Sequence, residues 1–160
     1  MSHAHSLSTR DPAAPVVPPP AIAGLTGVAA YVVDRVIGPK RILPRWIRPI
    51  GVGAIMAGIG MSVWGFLHFK KHDVSPSPWH RPSGFVSDGP YAISRNPMYA
   101  GSALILLGTG LVRGSVPTLL SPLAFVTILS RGQIPFEEAA LQDAYGSEYE
   151  DYKQRVRRWF

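Results

Sequence analysis

The sequence predicts an all-α protein, an integral membrane helical bundle with about four transmembrane helices, a short C-terminal helical hairpin and an amphipathic cytosolic C-terminal helix. Charged residues make up 16% of the 160-residue chain, whereas soluble domains carry about 25%. They avoid several long apolar blocks and flank the ends of those blocks, as in proteins whose helices cross a bilayer. The net charge of +6 is not arranged as a basic stripe interleaved with aromatics, so the expected partners are membrane lipids and not nucleic acid. Because the chain has no cysteine, it offers no thiolate nucleophile or cysteine metal site, and no metal site is expected.

Residues 1–19 are rich in Ser, Ala, Pro and His and are predicted to be a disordered tail, which leaves a membrane domain over residues 20–160. The first helix is predicted over residues 20–37, because Gly38-Pro39 is a stop signal. At the usual rise per residue this helix is about 27 Å long, which is close to the thickness of the bilayer core.

The clearest transmembrane helix is predicted over residues 49–69, which contain no Asp, Glu, Lys or Arg. A buried helix of a soluble protein is the alternative, but so short a chain has too little other material to cover so apolar a rod. Small residues allow a neighbouring helix to approach closely in lipid. The residues expected to do so are Gly51, Gly53, Ala57 and Gly60.

A polar linker over residues 70–96 leads into two further apolar helices, predicted over residues 97–112 and 115–130. No charged residue lies between Arg95 and Arg113 or between Arg113 and Arg131, and each of these intervals would reach about 26 Å as a helix. The turn between them contains Arg113 and Gly114. The two helices are therefore expected to form an antiparallel hairpin whose ends return to the same membrane face.

After the hairpin the chain becomes polar, and a C-terminal helix is predicted over residues 133–156 with an interruption at Gly146. The basic and aromatic end of the chain suits an anionic membrane surface. We therefore expect a multi-pass protein of a bacterial inner membrane with a cytoplasmic C-terminus. One face of the C-terminal helix is expected to carry Leu141, Tyr145, Tyr149 and Tyr152.

The polar residues that could carry chemistry flank the hairpin. Because the hairpin returns to its starting face, Asn96, Tyr99 and Glu137 can meet although about forty residues separate them. Each residue type also has a simpler explanation. A glutamate pair favours the first turn of a helix, Arg95 can extend to the membrane interface, and tyrosines form aromatic belts. Their convergence on one membrane face favours a binding site.

The motifs around the hairpin also carry a resemblance. Gly-Pro-Tyr and Arg-Asn-Pro-Met-Tyr-Ala-Gly precede the hairpin, and Glu-Glu-Ala-Ala-Leu, Tyr-Gly-Ser-Glu-Tyr-Glu-Asp-Tyr-Lys and Arg-Val-Arg-Arg-Trp follow it. In order and spacing they resemble the isoprenylcysteine carboxyl methyltransferase and phospholipid methyltransferase superfamily. The resemblance extends from Phe85 to Trp159.

The resemblance implies an integral membrane methyltransferase that uses S-adenosylmethionine as its cofactor at the cytoplasmic membrane face. It implies main-chain contacts from the segment before Gly89, side-chain contacts from the motif that runs from Gly89 to Tyr99, and a contact from the first glutamate after the hairpin. The predicted cofactor-binding residues are therefore Gly84, Phe85, Val86, Tyr91, Asn96, Pro97, Met98, Tyr99 and Glu137.

The chain departs from the superfamily pattern at two positions. Asn96 stands where eukaryotic carboxyl methyltransferases often have histidine, and asparagine cannot act as a general base near neutral pH. Gln133 stands where those enzymes place a substrate-binding arginine, and the nearest arginine is Arg131. Arg131 and Glu138 are the residues expected to contact the acceptor. The acceptor is expected to be lipophilic, either a carboxylate, a phospholipid amine or a thiol, and to enter from the bilayer between the second helix and the hairpin.

Two other functions compete with this prediction. One is a membrane reductase of the sterol-reductase type that binds NADPH, although the chain is short for such an enzyme and lacks an extra basic cluster for a 2′-phosphate. The other is a membrane scaffold without enzymatic activity. S-adenosylmethionine-dependent methyl transfer is the leading hypothesis.

Overall fold

The computed structural model describes residues 17–72 and 85–160. Within these ranges the chain is all-helical, with five α-helices, two 3₁₀ turns and no strand, which confirms the predicted all-α class. The predicted N-terminal tail lies almost wholly outside the described residues, as does the middle of the predicted linker.

Helix α1 (Pro19–Val36) begins with prolines in its first turn, where a backbone N–H would have no intrahelical partner. The chain turns away after it at Gly38, whose φ of 87° is readily adopted by glycine. A connector and a 3₁₀ turn at Arg45–Ile47 lead into helix α2 (Arg48–Lys71). Exposed apolar side chains on these two helices include Leu25, Val28, Val36, Met56 and Leu67.

Helix α3 (Pro97–Arg113) packs antiparallel to α2 with glycines of the two helices facing each other. A Cβ atom on Gly58 would lie 2.5 Å from the carbonyl oxygen of Gly101, and one on Gly51 would lie 2.7 Å from that of Gly108. The two backbones therefore touch, which is the close approach that small residues permit between helices in lipid. We call this contact the glycine seam.

The glycine seam differs from the predicted stripe of small residues. Its members on α2 are Gly51, Gly58 and Gly65, whereas a Cβ atom on Gly53 or Gly60 would meet nothing within 4 Å. A spacing of seven residues keeps side chains on one face of a helix, because two turns take about 7.2 residues. The prediction was correct for Gly51 and wrong for Gly53 and Gly60.

Helices α3 and α4 (Val116–Arg131) form a hairpin whose turn is held by the connector after α1. Gly114 ends α3 with a φ of 74°. The Nη1 atom of Arg41 donates to the carbonyl oxygens of Val112 at 2.6 Å and Arg113 at 2.8 Å. These contacts satisfy carbonyl groups that the last turn of a helix leaves without intrahelical partners.

A buried ion pair fastens α1 to the same turn. Arg113 donates from Nε and Nη2 to Oδ2 of Asp34 at 2.8 and 2.7 Å. Asp34 is only 1% exposed, and the guanidinium of Arg113 also lies over the ring of Tyr31, 4.7 Å from its centroid. Because a buried charge without a partner strongly destabilises a fold, this pair specifies where α1 packs.

Helix α5 (Gln133–Arg155) follows α4 almost directly and bends at Gly146, whose φ of 51° and ψ of −121° are not helical. The interruption was predicted at this residue. Beyond the bend, α5 packs against the segment that leads into the motif, and the ring centroid of Phe85 lies 5.1 Å from that of Tyr152. The aromatic cluster formed there consists of Phe85, Leu141, Tyr145, Tyr149, Tyr152 and Val156.

Two helical runs among the described residues, Arg45–Lys71 and Val116–Arg155, are long and apolar enough to cross a membrane. Charged side chains occur along the whole of α5, so the apolar part of the second run lies in α4. These lengths and compositions agree with a membrane protein.

The glycine seam predicts different outcomes for two alanine substitutions on α2. Gly58→Ala is expected to lower the melting temperature in detergent, because its methyl group would force the α2 and α3 backbones apart. Overpacking of this kind destabilises by about 1–3 kcal/mol. Gly60→Ala is the matched control and is expected to leave the melting temperature unchanged or slightly raised, since alanine favours a helix over glycine by up to about 1 kcal/mol. Equal effects of the two substitutions would contradict the seam.

Candidate functional site

Three segments that are far apart in sequence meet at one end of the hairpin. They are the motif over residues 89–99, the first turns of α5 and the chain end over residues 153–160. The motif begins with the 3₁₀ turn Gly89–Ala92 and ends in the first turn of α3. Since α4 returns the chain to this end, α5 starts beside the motif.

Glu137 forms the centre of the contact between the motif and α5. The hydroxyl of Tyr99 donates to Oε1 of Glu137 at 2.7 Å, and Nε2 of Gln133 donates to the same oxygen at 2.6 Å. Burial raises the pKa of Glu137, and the hydrogen bonds from Gln133 and Tyr99 offset this only in part. Within the described residues the other carboxylate oxygen, Oε2, accepts no hydrogen bond, so it can accept one from a ligand.

Two buried polar atoms near Glu137 have no hydrogen-bond partner within residues 17–72 and 85–160. They are the hydroxyl of Tyr91 and Oε1 of Gln133. Burial, together with the negative charges of Tyr152 and Glu137 when these groups are ionised, raises the pKa of Tyr91, so its hydroxyl stays protonated and can donate. Buried polar groups almost always have partners, which makes these two atoms candidate ligand contacts.

The neighbouring glutamate, Glu138, which was predicted to contact the acceptor, binds two arginines in the structure. Nη2 of Arg95 donates to its Oε1 at 2.6 Å, and Arg158 donates from Nε to Oε1 at 3.0 Å and from Nη2 to Oε2. Burial acts to raise the pKa of Glu138, but the hydrogen bonds from Arg158 and Arg95 outweigh it and lower the pKa below its ordinary value. Glu138 is therefore an ionised carboxylate that joins the motif to the chain end.

Main-chain hydrogen bonds hold the chain end against the motif as well. The backbone N–H of Arg95 donates to the carbonyl oxygen of Arg157 at 2.9 Å, and Nη1 of Arg95 donates to that of Val156 at 3.0 Å. The side-chain amide of Asn96 donates to the carbonyl oxygen of Arg158 at 3.0 Å. These bonds fix the backbone that leads into α3.

The predicted cofactor residues fall into two groups in the structure. Tyr91, Asn96, Tyr99 and Glu137 lie at the meeting of the three segments, as described above. Met98 instead packs against the seam, since a Cβ atom on Gly65 would lie 2.8 Å from Cγ of Met98. Neighbouring helix residues point about 100° apart, so Met98 and Tyr99 face different sides of α3.

The remaining predicted site residues lie around this centre. Pro97 is buried at the start of α3, and Val86 is buried just after Phe85. Phe85 itself packs in the aromatic cluster. Arg131 is exposed at the end of α4. Gly84 lies outside the described residues.

The part that the chain end takes in this assembly was not predicted from the sequence. The basic, aromatic end was predicted to suit a membrane surface and Arg95 could have extended to the interface, whereas Arg95 and Arg158 bind Glu138. Trp159 also packs inward and donates from Nε1 to the hydroxyl oxygen of Ser130 at 3.1 Å. A signal was present, because Arg-Val-Arg-Arg-Trp belongs to the motifs that carry the family resemblance.

Comparison with known proteins shows sequence similarity over most of the chain. Residues 46–148 match the phospholipid methyltransferase family. Protein-S-isoprenylcysteine O-methyltransferase B of Arabidopsis thaliana is 29% identical over 146 residues, which cover 85% of this chain and 70% of the plant protein. An uncharacterized protein of Haemophilus influenzae is 40% identical over 62 residues, which cover 39% of this chain and 98% of that protein.

Protein-S-isoprenylcysteine O-methyltransferase of Schizosaccharomyces pombe is 40% identical over 72 residues. This match covers 44% of the chain described here and 30% of the yeast protein. The similarity to the yeast protein is therefore limited to part of each chain.

The contact between Glu138 and the chain end predicts that two adjacent arginines differ in importance. Arg158→Gln is expected to lower the melting temperature in detergent, because it removes two donors from a largely buried carboxylate, a loss of about 1–3 kcal/mol. Arg157→Gln is the control, since the Arg157 side chain is exposed and its carbonyl oxygen can still accept from Arg95. The contact is refuted if the two variants melt at the same temperature.

The lowered pKa of Glu138 predicts an acid-dependent loss of stability. A carboxyl group whose pKa is lower in the folded state stabilises the fold above its unfolded pKa, and this contribution disappears as the pH falls through the folded value. The melting temperature of the wild type is therefore expected to exceed that of Glu138→Gln at neutral pH. The difference should shrink as the pH falls below 4.5, the ordinary pKa of the group. Glu150→Gln serves as the exposed control, and a difference that does not change with pH would show that Glu138 is not held ionised.

Proposed function

Because this chain belongs to the phospholipid methyltransferase family, we propose that it transfers a methyl group from S-adenosylmethionine to a lipophilic acceptor at the cytoplasmic face of a membrane. Family membership makes the chain a methyltransferase. The observation that carries the proposal is the 2.7 Å hydrogen bond between Tyr99 and Glu137. It joins two predicted cofactor residues that lie 38 positions apart.

The polar groups beside this hydrogen bond suit S-adenosylmethionine. Oε2 of Glu137 can accept from ribose hydroxyls or from the amino group of the ligand. The hydroxyl of Tyr91 and Oε1 of Gln133 offer a donor and an acceptor that lack partners in the described residues. Tyrosine faces suit a sulfonium cation. We propose further main-chain contacts from the segment that ends at Phe85 and Val86.

Asn96 and Glu138 support this binding site by positioning other residues. The side-chain amide of Asn96 donates to the chain end, so we propose that it acts by fixing the turn that presents Tyr99. Glu138 holds Arg95 and Arg158 and keeps α5 in register with the motif. Arg131 is exposed at the same end of α4, and we propose that it meets an anionic group of the acceptor.

The acceptor's hydrocarbon chain has a suitable place between α3 and α4. An apolar groove of about 390 Å³ lies there, and its lining includes Ala103, Leu107, Pro122, Val126 and Trp159. The route expected earlier, between α2 and the hairpin, is closed by the glycine seam. Ala103 and Tyr99 pack on the same buried cluster, so a chain in the groove would point its head towards the proposed cofactor site.

The proposed arrangement in the membrane has four spans, α1 to α4, with the C-terminus in the cytoplasm of a bacterial cell. Four crossings bring the start of α1, the end of α2, the motif and α5 to one side. The exposed apolar side chains of α1, α2 and α4 would then face lipid, where burial against protein is not required.

Bound S-adenosylmethionine would supply a methyl group activated on a sulfonium. The contribution of the chain is to orient donor and acceptor and to exclude water. A carboxylate acceptor would need no base, whereas a protonated amine or a thiol would need one. Because Asn96 cannot titrate near neutral pH, the second class of acceptor would need a base from elsewhere.

The proposal predicts that binding of S-adenosylmethionine depends on Tyr99 and Glu137. In calorimetric titrations of detergent-purified protein, Tyr99→Phe and Glu137→Gln are each expected to weaken binding by about tenfold, equivalent to about 1.4 kcal/mol. Glu148→Gln, at an exposed position on α5, should bind like the wild type. Melting temperatures measured in parallel separate weaker binding from unfolding.

Two results would overturn the proposal. One is the absence of binding by folded wild type in several detergents, and the other is stabilisation by NADPH but not by S-adenosylmethionine, which would favour a reductase. The acceptor class is read from transfer of labelled methyl groups to an extract of lipids and proteins. Label in phospholipid, in lipidated protein or in small thiols identifies the class, while no transfer by protein that binds the cofactor would favour a scaffold.

A further inference from the structure

The end of α2 and the residue before the first turn of the motif bring two imidazoles and a carboxylate together. His68 and His72 lie four residues apart and so on the same face of α2. Nε2 of His68 lies 2.9 Å from Oδ1 of Asp88, and Nε2 of His72 lies 3.5 Å from the same oxygen. A ligand atom from each of the three residues lies within 4.8 Å of the other two.

The two distances to Asp88, 2.9 and 3.5 Å, are close to those between ligands of a tetrahedral zinc ion, and the two histidine nitrogens lie within 4.8 Å of each other. Zinc binds histidine nitrogen and carboxylate oxygen at about 2.0–2.2 Å, which puts neighbouring ligand atoms in a tetrahedron about 3.3 Å apart. We propose that His68, His72 and Asp88 form a site for a divalent transition-metal ion, with zinc as the best match. Two histidines, one carboxylate and a water molecule would complete four-coordination.

The surroundings of the three side chains agree with this use. The side chain of His68 is 11% exposed, whereas those of His72 and Asp88 are 38% and 61% exposed, so an ion and its water can reach the site from solvent.

The backbone at Gly89 passes close to the imidazole ring of His68. A Cβ atom on Gly89 would lie 2.6 Å from Cε1 of His68, and Gly89 has a φ of 57°. Only glycine allows the motif to pass this close to the imidazole in this conformation. The ring of His68 is thereby held with Nε2 directed at Asp88.

A metal at this site would fasten the beginning of the motif to the end of α2. The backbone N–H of Tyr91 donates to the carbonyl oxygen of Asp88 at 3.0 Å, and the ring of Tyr91 lies 4.7 Å from that of Phe69 on α2. The ion would therefore bridge residues 72 and 88 and limit the positions that Tyr91 can take. This role does not depend on methyl transfer.

The competing explanation of the same geometry is a His–Asp hydrogen bond that holds no metal. The visible absorption spectrum of added cobalt(II) distinguishes the two explanations. A tetrahedral site with imidazole ligands gives intense bands that hydrated cobalt lacks. The chain contains five histidines. His3, His5 and His80 are therefore replaced by asparagine in every protein used, and the purification tag contains no histidine.

The proposal expects the full-length protein to bind one equivalent of cobalt with tetrahedral bands, and zinc to displace it. His72→Ala and Asp88→Asn should each weaken binding by at least tenfold, while Asp143→Asn, at an exposed position on α5, should not. Zinc should also raise the melting temperature of the parent protein and of Asp143→Asn only. No tetrahedral bands, or equal metal binding by all four proteins, would overturn the proposal. These readouts need no methyl donor, so they stand or fall separately from the proposed enzymatic function.

Discussion

The carboxylate of Glu138 is the interaction on which the rest of the candidate site depends. It takes one guanidinium from the motif and another from the chain end, and its own helix begins directly after the hairpin. A largely buried charge is tolerated only with partners of the opposite sign and good hydrogen bonds. Satisfying this one group therefore brings three distant segments into a single arrangement. The neighbouring Glu137 then lies opposite Tyr99, whose hydroxyl donates to it.

The glycine seam and the Asp34–Arg113 pair provide the frame for that arrangement. Direct backbone contact between α2 and α3 leaves little freedom for sliding or rotation, because side chains that could adapt are missing. Rotation is what matters for the motif. With Met98 held against Gly65, the next residue, Tyr99, is directed at α5. The ion pair at the opposite end of the hairpin fixes α1 and the turn.

Much of the fold could be predicted from the sequence because its signals are local. Gly38, Gly114 and Gly146 mark the ends or the bend of helices, and all three have positive φ in the structure. The meeting of Tyr99 with Glu137 followed from the hairpin alone. The faces of the helices could not be predicted in the same way. Gly53 and Gly58 are the same residue type on the same apolar helix, and only the position of α3 distinguishes them. The binding of Arg158 to Glu138 could not be predicted either, because a basic side chain in the sequence suits a lipid headgroup and a buried carboxylate equally well.

The separation in sequence between partners also has a consequence for the order in which the molecule assembles. The hairpin joins α3 and α4 across a tight turn, whereas the bonds from the chain end to Ser94, Arg95 and Asn96 close loops of about 60 residues. Short loops close at a smaller loss of chain entropy, so the hairpin is expected to form before the chain end is bound. A chain in which only the helices have packed would have the tyrosines and glutamates of the site without the segment that aligns them. Ligand binding would then be a property of the completed molecule and not of its early intermediates.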